Sequence, residues 1–275
     1  FGSRAVRPGR AAGRGPPPMS SGSGRASEEI AAWEKDAEGH VAAGRADLAA
    51  ELLERALVLR IRSLGAGHPS LVPAAEVLAR ACNHAVSAEL RLGRALAAAE
   101  GRLQRLLALL AEVSSAAAPD VLAPCFNVTL NNMASLHQRL GNQEAAVLCL
   151  REALPLCSAL VPSEAAATHL SLCALLSQMG QHVEAAHHAA EAVKLGEADI
   201  LDMPSLQHDQ DLAGGRTALL RERVSALAVA YNNLAVQREF LGQCSESLVL
   251  YEKAVVLAEG HMEPDSVLLA KLRES

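Results

Sequence analysis

The sequence predicts an all-α protein, a solenoid of stacked helix–turn–helix units. Three observations carry that expectation. Half of the 275 residues are hydrophobic, yet only 2% are aromatic. A core built from Ala, Leu and Val instead of rings needs elements that pack at close range, and Ala-bearing helices do this with the best helix propensity. Glycines recur between Ala/Leu-rich stretches, and windows aligned on those glycines share one pattern, as stacked repeats must.

Residues 1–26 hold five Arg, no acid and many Gly, Pro and Ser. They cannot bury enough apolar surface to fold and read as disordered. Three origins fit: a linker from a longer protein, a leader before a true start at Met19, or an Arg-bearing transit peptide. Gly and three consecutive prolines oppose the amphipathic helix of the third.

Residues 27–275 read as the helical array. The first repeat, near 30–64, carries Trp33, Gly44 at its turn, and Ala49, Leu53, Ala56 and Leu57 beyond it. The stretch 70–113 reads as a degenerate repeat of two long helices. Leu78 and Ala79 suit its first helix, but Gly93 comes seven residues late. In 121–159, Leu130, Met133, Ala134 and His137 precede Gly141, and Ala146, Leu150, Ala153 and Leu154 follow. In 163–196, Leu172, Cys173 and Leu176 precede Gly180, with Ala185, Ala189, Ala192 and Val193 after it.

Gly141 and Gly180 lie 39 residues apart, but Gly180 and Gly242 lie 62 apart. The excess predicts an acidic loop over 197–215, carrying Pro204 and ending Gly214-Gly215. In 216–259, Tyr231, Leu234 and Ala235 precede Gly242, and Ser247, Tyr251, Ala254 and Val255 follow. The start of a capping helix is expected over 264–273.

These windows resemble the tetratricopeptide repeat, whose W-x2-L-G-x2-Y and A-x3-F spacing they share. Trp33 and Tyr231 fall in its Trp slot and Tyr251 in its Phe slot. Leu130–Ala134 (LNNMA) and Tyr231–Ala235 (YNNLA), with Gly65, His68 and Pro69 after the first repeat, resemble the kinesin-light-chain subtype. The third window, LSLCA, lacks both Asn. The resemblance implies a right-handed α-solenoid whose first helices line a concave, peptide-binding groove. It places Asn131, Asn132, Asn232 and Asn233 on or beside that groove, with Gln138, Arg139 and Glu239 two turns on. An Asn amide both donates and accepts, so it can clasp the backbone of an extended peptide; one Asn of each pair could instead bridge neighbouring helices.

Outside residues 1–26 the chain has 20 basic and 31 acidic residues, which argues against nucleic acid as partner. It also argues against an RNA-binding helical repeat. Only four Lys are present, too few for a clamp on acidic chaperone tails. No apolar stretch approaches a membrane span. The six cysteines form no CxxC pair, so they predict free thiols, neither disulfides nor zinc. His182, His187 and His188 lack i, i+4 ligand spacing and read as solvent-facing or partly packed. No phosphate loop, GxSxG or HExxH occurs. The expectation is therefore a protein without catalytic residues, cofactor or metal: a cytoplasmic scaffold or adaptor for protein or peptide partners, in a cytoskeletal setting before an organellar one. The alternatives are a regulatory domain of a larger enzyme or NTPase, or a structural subunit of a large complex.

Overall fold

The computed structural model describes residues 22–116, 119–158, 162–202, 213–261 and 267–274, and among these every regular element is helical. The helices are α1 (Gly22–Ala42), α2 (Ala46–Leu64), α3 (Leu71–Leu92) and α4 (Leu96–Ala116). After a 3-10 turn (Pro119–Leu122) come α5 (Ala123–Arg139), α6 (Gln143–Ser158), α7 (Pro162–Gln178) and α8 (His182–Leu201). The array ends with α9 (Ala213–Phe240), α10 (Cys244–His261) and α11 (Val267–Glu274). Each helix packs on the next, and α3 also packs on α5 and α7 on α9. Contacts confined to near neighbours make an all-α solenoid, in which each unit is stable only because the next covers it.

Small residues hold this stack together. Ala146, Ala185, Cys173 and Ala134 are all buried in one cluster that runs from α5 to α11, with Leu172 and Leu176 filling the space between helices. A second cluster ties α1–α3 to the end of α4, through Leu57, Leu78 and Leu110. A third joins α3, α4 and α5 through Val86, Leu103 and Leu136. Tyr231 is buried, as its slot requires, whereas Trp33 is only half-buried.

Five helix-to-helix turns have one construction. At the third pair, Gly141 sits at φ +78° and Asn142 N–H donates to the His137 carbonyl at 2.8 Å. The same bond, reaching five residues back across a left-handed glycine, recurs at Gly44, Gly93, Gly180 and Gly242. This satisfies carbonyls that a helix C-terminus leaves bare. Gly93 belongs to the set although it looked late in sequence: α3 is simply 22 residues long. A Cβ at Gly141 would meet nothing within 4 Å, so only backbone strain opposes one there. Gly141→Ala should cost about 1–2 kcal/mol in a urea melt. Gly39→Ala, inside α1 and equally uncrowded, should instead gain about 0.5–1 kcal/mol. Equal effects at the two sites would exclude this account of the turns.

Three boundaries differ from the sequence reading. Residues 22–26 are helical, not disordered: once Ile30 and Ala37 anchor α1 in the core, propagating it backward costs far less than nucleating a helix. Residues 197–201 belong to α8, not to a loop, because the acids there have partners on α9. Arg223 reaches the Asp199 carboxylate at 3.1 Å and its backbone carbonyl at 2.9 Å, and the Tyr231 hydroxyl donates to Glu197. Residues 213–215 already belong to α9. The loop centre at 203–212, the start of the expected capping helix at 264–266 and residues 1–21 lie outside the described residues.

Candidate functional site

The first helices of the pairs, α1, α3, α5, α7 and α9, border a run of clefts. The cleft among α1, α2 and α3 holds about 650 Å³ and is mostly apolar, lined by Val41, Leu57, Ala74 and Val77. At its edge Arg60 grips Glu34 with two nitrogens, at 2.6 and 3.2 Å. The next cleft, between α3 and α5, holds about 630 Å³. Arg80, His84 and Arg91 line it along one exposed stripe of α3, opposite Val121 and Val128. The third, between α5 and α7, holds about 360 Å³ and is polar. A fourth, of about 350 Å³, lies among α7, α8 and α9 beside the Asp199–Arg223 pair.

The expected groove residues divide unequally among these clefts. Asn131, Asn132 and Gln138 come together in the third, with Ser135 and Ser171. Asn131 Nδ2 donates within its own helix to Asn127, at 2.9 and 3.0 Å. Asn132 bridges helices: its Nδ2 donates to Asn83 Oδ1 at 2.8 Å and its Oδ1 accepts from Ser87 at 3.3 Å. Arg139 is exposed beyond them. Asn232 and Asn233 are half-buried on α9, away from that cleft, and the Oδ1 of Asn232 is buried without a hydrogen-bond partner. Glu239 is exposed and accepts from the Tyr251 hydroxyl at 3.0 Å. Burial and that carboxylate together push Tyr251 up to about 12, so it stays a donor.

Sequence reasoning missed a polar seam that joins α3 to α5 and α5 to α7. Asn83 Nδ2 donates to Thr129 Oγ1 at 3.0 Å, and both residues are buried. Asn127, also buried, donates to Glu164 of α7 at 2.7 Å. Asn residues at core positions of two helices were the available signal, since buried amides must be paired. It also missed Arg80, His84 and Arg91, because α3 lies in the stretch read as degenerate.

Of the three histidines read as solvent-facing or partly packed, His187 is exposed and His182 half-buried. His188 is instead buried, and its Nδ1 lies 2.9 Å from Nδ1 of buried His169. His182 stacks on Phe240 of α9, with ring centroids 4.2 Å apart, and shares a 3.0 Å hydrogen bond with Gln237. Among the described residues no group of three or more His, Cys, Asp or Glu is placed to hold a metal. Burial pushes the Cys82 thiol up to about 12 and Cys173 to about 11, which leaves them protonated packing groups. Cys244 alone of the six is exposed. No described helix is long and apolar enough to cross a membrane.

The tetratricopeptide repeat family model matches residues 39–70 and 128–163. The chain carries tetratricopeptide repeats at these two places. Solved structures of similar shape include a MamA protein (14% identity, 85% of this chain and 93% of that one, TM-score 0.46). Another is a Podosopora anserina protein with nearly identical TPR-like repeats, assigned as a kinesin light chain (20%, 89% and 100%, 0.45). A third is BtubC (BKLC) from P. vanneervenii (15%, 89% and 93%, 0.40). No curated protein matches the chain by sequence. In this helical array the matched repeats are those around Gly44 and Gly141. They flank the α3–α4 pair, which makes the same turn in a longer frame.

Proposed function

We propose that the protein is a non-catalytic scaffold that binds an extended segment of a partner protein along the first helices of its repeats. The observation that carries this reading is the succession of clefts there, apolar at α1–α3, charged at α3–α5, where Arg80 and Arg91 stand with Glu76, and polar at α5–α7. An apolar cleft takes an anchoring side chain, and amides and hydroxyls then fix the backbone beside it. Asn131, Gln138, Ser135 and Ser171 supply those polar contacts, while Asn132 holds α3 to α5 and keeps the floor in place.

Peptides selected from a display library on the folded protein should carry an apolar anchor. Val77 is exposed in the first cleft and Ser171 in the third, so neither substitution disturbs the core. Val77→Glu and Ser171→Trp should each weaken the selected peptides at least tenfold, about 1.4 kcal/mol, with unchanged circular dichroism. Selected peptides indifferent to both substitutions would remove the groove from consideration.

A further inference from the structure

The clefts along the first helices are equivalent places in the repeat, and their charge changes in order. Sixteen residues before the turn glycine stand Val77, Cys125, Glu164 and Ala226, and each lines a cleft. Thirteen residues before it stand Arg80, Val128 and Ala167, which line clefts as well. Nine residues before it stand His84, Asn132 and Ser171, again on cleft walls. The backbone therefore offers one lining pattern, and the clefts differ in the side chains that it carries.

Those side chains sort by charge. In the α1–α3 cleft Arg60 neutralises Glu34, and Glu38 is left. In the α3–α5 cleft Arg80 and Arg91 outnumber half-buried Glu76, and His84 stands between them in sequence. Among the described residues, none makes a hydrogen bond or ion pair with Arg80, His84 or Arg91. The α5–α7 cleft carries no charged side chain. In the cleft among α7, α8 and α9, Arg223 neutralises Asp199. Exposed Glu164, which accepts from the neutral amide of Asn127, and exposed Glu222 are left there. Of these four clefts the α3–α5 one alone is positive, on a chain whose residues outside 1–26 are 20 basic and 31 acidic.

We infer that the segment held in the groove is dipolar: an acidic stretch lies over Arg80, His84 and Arg91, and a basic stretch lies over Glu164 and Glu222. This rests on the groove reading above and adds the order of charge along its occupant. At the first place, carboxylates meet guanidiniums already free of ion pairs, and the fork of each can take both oxygens of one carboxylate. At the other, an Arg or Lys lays its stem on Leu170 and Leu219 and brings its charge to the two acids. The uncharged α5–α7 cleft separates the halves and takes the backbone between them. A segment with the opposite order meets like charge at both places, and such repulsion excludes wrong partners and fixes register.

Two fluorescein-labelled peptides of one composition test this. Each begins with a Leu anchor for the α1–α3 cleft. In the first, three Asp follow, then a flexible Gly/Ser spacer, then three Arg; in the second the Asp and Arg blocks are exchanged. In anisotropy titrations at low salt the full chain should bind the first at least tenfold tighter, and the preference should shrink as added salt screens the charges. Arg80→Glu with Arg91→Glu, both at exposed positions, should abolish the preference, and Glu222→Arg added to these should reverse it, with unchanged circular dichroism. The first peptide without its Arg block should bind at least tenfold more weakly. Equal affinity for the two peptides, binding of neither, or a preference that survives the charge-reversed variants overturns the inference. So does an Arg block that adds nothing, which reduces the surface to an acid-binding cleft. Sedimentation showing dimers that Arg80→Glu with Arg91→Glu dissolves would assign the surface to a second copy and overturn the partner assignment. The groove reading itself fails separately, when library-selected peptides ignore Val77→Glu and Ser171→Trp.

Discussion

Ala146→Trp should unfold the repeat around Gly141, and with it much of the second half of the array. Ala146 is 0% exposed and lies five residues after the turn glycine, where the second helix of a pair crosses the first. The same position holds Ala49, Ala185 and Ser247 in other pairs, all buried, so small residues recur wherever the two helices close up. An indole there cannot be housed by rotamer changes alone. Overpacking a tight core costs ~1–3 kcal/mol for added methylenes, and a whole ring should reach or exceed the upper end. Stacked repeats share their interfaces, so the loss spreads to the neighbours. Leu148→Trp is the matched control: two residues on, 58% exposed, it should change stability by less than ~0.5 kcal/mol. Urea melts followed by circular dichroism separate the two. Equal stability of both variants would show that Ala146 does not sit at a close crossing.

The fold was legible because its signals are local and repeated. A turn glycine between two Ala/Leu stripes needs no knowledge of the rest of the chain, and the left-handed φ at Gly44, Gly141, Gly180 and Gly242 is the physical counterpart of that pattern. The boundaries were less legible because they are set by tertiary partners. Glu197 and Asp199 look like loop acids until Tyr231 and Arg223, more than twenty residues away, are placed beside them. The candidate groove was half legible for a similar reason. LNNMA marks both Asn131 and Asn132, but nothing in the motif says which faces a cleft. The partner that decides it, Asn83, sits in the stretch whose register was obscured by a long helix.

The buried histidine pair makes the array sensitive to acid. His169 and His188 approach Nδ1 to Nδ1 at 2.9 Å, so one nitrogen donates and the other accepts, and the accepting ring cannot take a proton there without losing the bond. Burial lowers both groups, and His188, further opposed by His169 and His187, falls to about 4. Glu184, 3.9 Å from His188 Nε2, pulls the other way, but Arg151 pairs with that carboxylate and lowers His188 in its turn. Glu191 likewise raises His169 without overcoming its burial. The sign follows from the folded value lying below that of free imidazole. Above pH 6.5 both folded and unfolded chains hold His188 neutral, and its burial costs nothing in charge. As the pH falls from 6.5 to 4 the unfolded chain takes up a proton that the folded chain refuses, so stability is lost across that window. A drop from 6.5 to about 4 corresponds to about 3 kcal/mol at its limit. His188→Gln removes the titrating ring while keeping a polar side chain beside His169. Urea midpoints measured from pH 7 to 4 should therefore fall less steeply for His188→Gln than for the unaltered protein. Parallel curves would mean that the pair carries no proton linkage and that acid sensitivity arises from the carboxylates instead.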